Sequence, residues 1–189
     1  MSKRRANYQT SVKSLLPEEF LLDLGVFLQT CAYIEQTAAI LIASLNVDDP
    51  ESESFFAEYE SYRKLSTKEL LKTLRSVTDK AEQFGFADRL SEISNAIEIN
   101  NEKRHLAVHG AFIATPNDFL RVDHLKNWGQ GLEQNRTAIT KQDVCIAIRD
   151  ADFILTVLIG FIEAVQPRLY VDTSHRAFPI VTHPFSKRK

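Results

Sequence analysis

A chain of 189 residues has about the length of one domain and enough material to bury its own core. With 44% hydrophobic residues, 25% charged residues and a net charge of -2, it is neither a disordered nor a collagen-like chain, and not a strongly basic coat protein for nucleic acid. Two cysteines, Cys31 and Cys145, are too few for a disulfide framework; both lie in apolar helical patterns, which predicts buried, reduced thiols in a reducing compartment.

The charge is unevenly placed. Residues 1–14 carry Lys3, Arg4, Arg5 and Lys13 with no acid, and residues 167–189 carry five bases against Asp172, so each end is +4 and the body between them -10. We read residues 1–16 and 167–189 as basic, solvated tails, placed so that they would also hold a polyanion near the protein. No apolar run begins before Phe20, so no secretion signal is expected. The longest uncharged apolar run, residues 153–162, is ten residues, too short for a bilayer. A cytoplasmic protein with no membrane contact is the expectation.

Helical periodicity dominates residues 17–166. A first helix is predicted from Pro17 to Leu45, with proline at its first position and Glu18 and Glu19 in its first turn. It is apolar around almost its whole circumference, which requires cover on more than one side; a partner subunit is the expected second cover. Asp49-Pro50-Glu51 predicts a turn and a short helix through Tyr62. Ser66-Thr67-Lys68-Glu69 has the form of a capping box and opens a helix to about Phe84, ended by Gly85. The next helix spans Ala87 to His109, with Gly110 expected in the left-handed conformation after its end.

The pattern then changes. Ala111–Thr115 and Phe119–Val122 flank Pro116-Asn117-Asp118 and predict a hairpin; the polar residues 125–136 predict a loop, so that 111–139 form a β-hairpin and loop insertion. Thr140 to Asp143 is another capping pattern, opening a last helix to Gln166, also apolar on every side. After Pro167 the chain is expected to be extended or loose. The fold class is therefore all-α: an antiparallel helical bundle with a small β-hairpin insertion before its last helix. Two helices apolar all round favour a homodimer.

The informative stretch is Asn100 to Gly110. On a wheel at 100° per residue with Leu90 at 0°, Ile93, Ile97 and Val108 fall at about 300°, 340° and 0° and Arg104 at about 320°, inside the apolar stripe. Asn100 and Asn101 flank it. A buried guanidinium needs a counter-charge, and Glu35, an isolated acid in the first apolar helix, is its predicted partner. On the wheel alone, such a pair serves either packing or a functional site. His109 lies about 140° from Arg104 on a regular helix; in the last helical turn it also fits a simple capping role.

Arg104, the polar His105 and then His109-Gly110 resemble the R-x4-6-H motif of the HEPN superfamily (higher eukaryotes and prokaryotes nucleotide-binding), placed near the end of a late helix as in that family. The resemblance covers residues 17–166 in outline, and its specific part is the motif. His105 stands where the family most often has Asn, and the β insertion is a departure. The resemblance implies a HEPN-like bundle and a metal-independent endoribonuclease, with no cofactor, in which two protomers form one cleft. His109 would transfer protons, Arg104 hold the phosphate and His105 assist, supported by Glu35, Asn100 and Asn101. It also implies RNA as substrate, an antitoxin or other regulatory protein as partner, and a role in defence or toxin–antitoxin systems. A non-catalytic module that binds RNA, nucleotide or protein through the same cleft is the alternative, and a purely structural dimerisation module a third.

Another reading uses the same helix for metal. Glu98, Glu102, His105 and His109 share a face, and Glu102 and His105 have the Glu-x-x-His spacing of di-iron bundles. The second Glu-x-x-His is missing, since Asp172 and His175 lie beyond the final helix, so no metal is expected. His124, Trp128, His175 and His183 are assigned no role.

Overall fold

The computed structural model describes residues 15–114, 120–128, 131–167, 171–172 and 180–181. Its helices are α1 (Glu18–Asn46), α2 (Glu53–Tyr62), α3 (Thr67–Ser76), the single turn α4 (Thr78–Ala81), α5 (Ala87–His109) and α6 (Lys141–Val165). Strands β1 (Ala111–Ala114), β2 (Leu120–Trp128) and β3 (Gly131–Ile139) lie between α5 and α6, and the short pair β4 (Val171–Asp172) and β5 (Ile180–Val181) follows α6. The molecule is mostly helical with a small antiparallel sheet.

α1 is the central element. Every residue from Thr37 to Leu45 is buried, because α2, α3, α5 and α6 all pack against this helix. For this stretch the chain itself supplies the cover, whereas Leu22, Gly25, Val26, Gln29 and Ala32 nearer the start of α1 are exposed. By length and composition α1 also meets the criterion for crossing a bilayer, which the ten-residue run in α6 does not; 61% of that stretch is buried inside the bundle.

Neighbouring helices are not all antiparallel. Lys141 at the start of α6 is 2.6 Å from Glu19 at the start of α1, and Gln166 just past the end of α6 donates to the carbonyls of Val47 and Asp48 just past the end of α1. α1 and α6 therefore run parallel. α5 runs against α6, with Phe86 stacked on Phe161 at 4.2 Å and Lys103 3.0 Å from Asp150. The parallel pair is possible because α4 leaves the chain beside the end of α1, where Lys80 meets Asn46, and α5 then carries it back to the start of α1, beside which α6 begins.

Local signals set the helix ends. Both capping boxes form, at Ser66 with Glu69 and at Thr140 with Asp143. At its far end, α1 is tied to α2: the Asn46 amide donates to Glu58 and Tyr62, and Lys80 donates to the Asn46 oxygen. The single helix expected up to Phe84 is instead broken at Val77, which adopts φ -102° and ψ 8° and is buried. The β-branched neighbours Val77 and Thr78 are poor helix formers, and burying Val77 outweighs continuing the helix. A 3-10 turn, Glu82–Phe84, follows, and Gly85 ends it at φ 75°.

Gly110 departs from expectation. Its φ of -78° and ψ of 141° are extended, because β1 begins at the next residue. Glycine is needed there for space: a Cβ would lie 2.2 Å from Val122 Cγ2 and 2.5 Å from the Leu106 carbonyl oxygen.

The sheet is larger than the predicted hairpin. β2 pairs with β1 from Ala111↔Asp123 to Ala114↔Leu120 and with β3 from Leu120↔Ile139 to Trp128↔Gly131. Residues expected to form a loop, 125–136, therefore belong largely to a nine-residue ladder. Its sequence is polar and lacks alternation; backbone pairing, which is indifferent to side-chain polarity, makes the strands. Residues 116–118 of the predicted turn lie outside the described residues, as do residues 1–14 of the basic N-terminal tail and most of the C-terminal one.

Candidate active site

Arg104 and Glu35 meet as predicted. Arg104 Nη1 donates to Glu35 Oε1 at 2.8 Å and to Thr67 Oγ1 at 3.1 Å, and the Thr67 hydroxyl donates in turn to Glu35 Oε1. The three side chains come from α5, α1 and the first position of α3. α5 runs against α1, and Cα–Cβ bonds tilt toward a helix's own N-terminus, so Arg104 reaches back along α1 to Glu35. The ion pair is half-buried, with 33% and 28% of the two side chains exposed. Thr67 was not legible as a site residue; its only signal was its position beside the capping Ser66.

Below this cluster the polar chain continues inward. Asn100 is 4% exposed, donates to Cys31 Sγ at 3.3 Å, and its Oδ1 has no hydrogen-bond partner among the described residues. Asn101 is half-buried and bonds to none of these groups.

The histidines occupy a different face. His105 and His109 are exposed, one turn apart, with ring centroids 4.6 Å apart at 53°. His109 is the last residue of α5, and its position depends on the turn through Gly110. The structure thus joins Arg104 to Glu35, and His109 to His105, but makes no hydrogen bond or ion pair between Arg104 and His109. For the metal reading, Glu98 is engaged by Arg75 at 2.6 Å, and no group of three His, Cys, Asp or Glu residues suited to a metal occurs among the described residues.

Two cavities lie on other faces of α5. One, of about 340 Å³, is lined by Phe20, Leu24, Phe27, Leu106 and Phe112 among others; the second, of about 400 Å³, lies between α5 and α6 around Ile99, Asn100 and Phe153. Neither is lined by Arg104, His105 or His109.

The two cysteines differ. Cys31 is buried, and burial pushes its thiol up to about 11, against smaller downward effects of the Asn100 hydrogen bond and the Arg104 charge. Cys145 is exposed, contrary to expectation, because it lies in the second turn of α6 on the outward side. At pH 8, iodoacetamide is expected to modify Cys145 and spare Cys31; a carbamidomethyl adduct on Cys31 of the folded protein, found by peptide mass spectrometry, would contradict this. Tyr62 is likewise raised, to about 12, by burial and by the adjacent Glu58 carboxylate. Both groups hold their protons in the folded state above the ordinary values of 9.0 and 10.0. Stability should therefore be complete below pH 9 and fall as pH rises toward 12. Urea midpoints across that range, flattened in a Cys31→Ala, Tyr62→Phe variant, check the assignment.

No family model, no curated protein and no solved structure matches this chain.

Proposed function

We propose that this chain is a metal-independent endoribonuclease of HEPN type, acting as a homodimer in the cytoplasm. The observation that carries the reading is the pairing on one helix end: two adjacent exposed imidazoles, and an arginine fixed in place by Glu35 and Thr67. RNA cleavage by its own 2′-hydroxyl needs a base for that hydroxyl, positive charge for the phosphorane and an acid for the departing 5′-oxygen. His109 supplies proton transfer, His105 assists it, and Arg104 stabilises the phosphate, with Glu35, Asn100 and Asn101 as supporting residues. Because Arg104 and His109 do not meet within one chain, two protomers together supply the full set. No cofactor takes part. A defence or toxin–antitoxin role, with an antitoxin or other regulatory protein as partner, follows from the same resemblance.

A specific observation favours the second reading, a non-catalytic module binding RNA, nucleotide or a protein partner. Arg104 already spends Nη1 on Glu35, and that carboxylate offsets its charge. The acidic body argues against tight nonspecific RNA binding, which within this second reading favours a protein partner.

The test is single-stranded RNA incubated with purified protein in EDTA. Fragments ending in 2′,3′-cyclic phosphate and 5′-hydroxyl support the enzyme. Binding with steep salt dependence but no cleavage selects the second reading.

A further inference from the structure

The sequence gives α1 no polar face, and the bundle covers only part of it. The outer side of its first half stays open: Leu22 is 68% and Val26 44% exposed, and Gly25, Gln29 and Ala32 are also exposed. The positions are regularly spaced. Leu22, Gly25, Gln29, Ala32 and Gln36 are separated by three, four, three and four residues, the seam along which one helix packs on another over several turns. No charged residue lies on this seam, in a chain that is one quarter charged. A Cβ added at Gly25 would meet nothing within 4 Å, so there is open space beside the small residues.

We infer that a second copy of this chain docks on the seam, α1 against α1, antiparallel about an axis at Gln29. The occupant follows from self-complementarity. In that register Val26 of one copy lies over Ala32 of the other, and Leu22 lies over the aliphatic part of Gln36. The two Gln29 amides face each other, each able to donate and accept. A patch that matches itself is what a two-fold interface requires. A lipid surface suits it less, because the amides of Gln29 and Gln36 would enter hydrocarbon without partners.

A stable pair needs about 800 Å² from each partner, more than one seam of roughly 21 Å provides. The open surface continues past both ends. Toward Leu15, before α1 and 66% exposed, the same spacing passes through the exposed Glu18, so the uncharged part of the seam begins at Leu22. Beyond Ala32 and Gln36 lies a cavity of about 400 Å³, rimmed also by Glu35, Tyr62 and Leu65. Glu35 is the carboxylate that holds Arg104, so a docked copy closes the outer side of the Glu35–Arg104–Thr67 cluster. The inference rests on the dimer of the proposed function and names its surface.

Sedimentation equilibrium on the full chain tests it. Wild-type protein is expected to be dimeric at micromolar concentration, and Val26→Glu, which places a charge on the seam, to raise the dimer dissociation constant at least 100-fold. Val26 is exposed in the single chain, so the thermal midpoint of dilute protein should not change. In a Cys145→Ser background, Gln29→Cys should form a symmetric disulfide dimer on mild oxidation. A monomeric wild type, or a Val26→Glu variant as dimeric as the parent, overturns the inference. So does wild-type binding to phosphatidylcholine vesicles that Val26→Glu abolishes. The ribonuclease reading fails separately: a wild type that dimerises through Val26 but leaves RNA intact keeps the surface and loses the activity. A monomeric Val26→Glu variant that still cuts RNA keeps the surface and refutes the two-protomer site.

Discussion

Replacing His109 by alanine is expected to reduce metal-free RNA cleavage by roughly 100- to 10,000-fold, the range for removing one proton-transfer group. The proposed chemistry moves one proton from the 2′-hydroxyl and another onto the 5′-oxygen, and no other described side chain at this helix end matches an imidazole for that task except His105. His105→Ala should therefore cost less, about tenfold or somewhat more, through lost support of its neighbour. His109 is exposed, with its ring beside that of His105, so its truncation should leave the thermal midpoint nearly unchanged, as surface substitutions do. Initial rates on a labelled single-stranded RNA in EDTA, with melting curves beside them, are the measurement. Unchanged cleavage by the folded His109→Ala variant would remove this residue from the mechanism.

The second large effect is structural and falls one residue further on. Gly110→Ala is expected to destabilise the fold by about 1–3 kcal/mol, the usual range for forcing extra atoms into a packed site, lowering the melting temperature by roughly 2–4 °C for each kcal/mol. Its Cβ would sit 2.2 Å from a methyl of Val122, a fully buried side chain, and 2.5 Å from the Leu106 carbonyl oxygen. The second contact is with backbone, so no rotamer change relieves it; the last turn of α5 or the start of β1 must move. Because that turn carries His109, activity should fall further than stability alone explains. Gly85→Ala is the control. Its φ of 75° costs about 1–2 kcal/mol for any L side chain, but it has nothing within 4 Å and no link to the histidines. Equal effects of the two substitutions on activity per folded molecule would argue against the Gly110 mechanism.

Much of this was legible in the sequence because it is encoded within a few residues. The capping boxes at Ser66 and Thr140, the stop at Gly85 and the 3.6-residue period of α1, α5 and α6 each act locally. The pairing of Arg104 with Glu35 was also legible, although the residues are 69 apart, because a lone charge in each of two apolar stripes leaves few other solutions. Thr67 was not, since a threonine beside a cap has many possible neighbours and only the packing of α3 on α1 selects Glu35.

The sequence by itself determined that this is a helical protein, where most of its helices start and stop (the break at Val77 apart), and that one arginine turns inward. Only the tertiary structure decided that α1 and α6 run parallel, that polar residues 125–128 and 131–136 pair as strands, that Cys145 faces outward, and that Gly110 serves a close approach rather than a left-handed turn. The physical reason is range. Periodicity and capping are settled by neighbours three or four residues away, whereas strand pairing, helix direction and the space beside a Cβ are settled by segments distant in the chain.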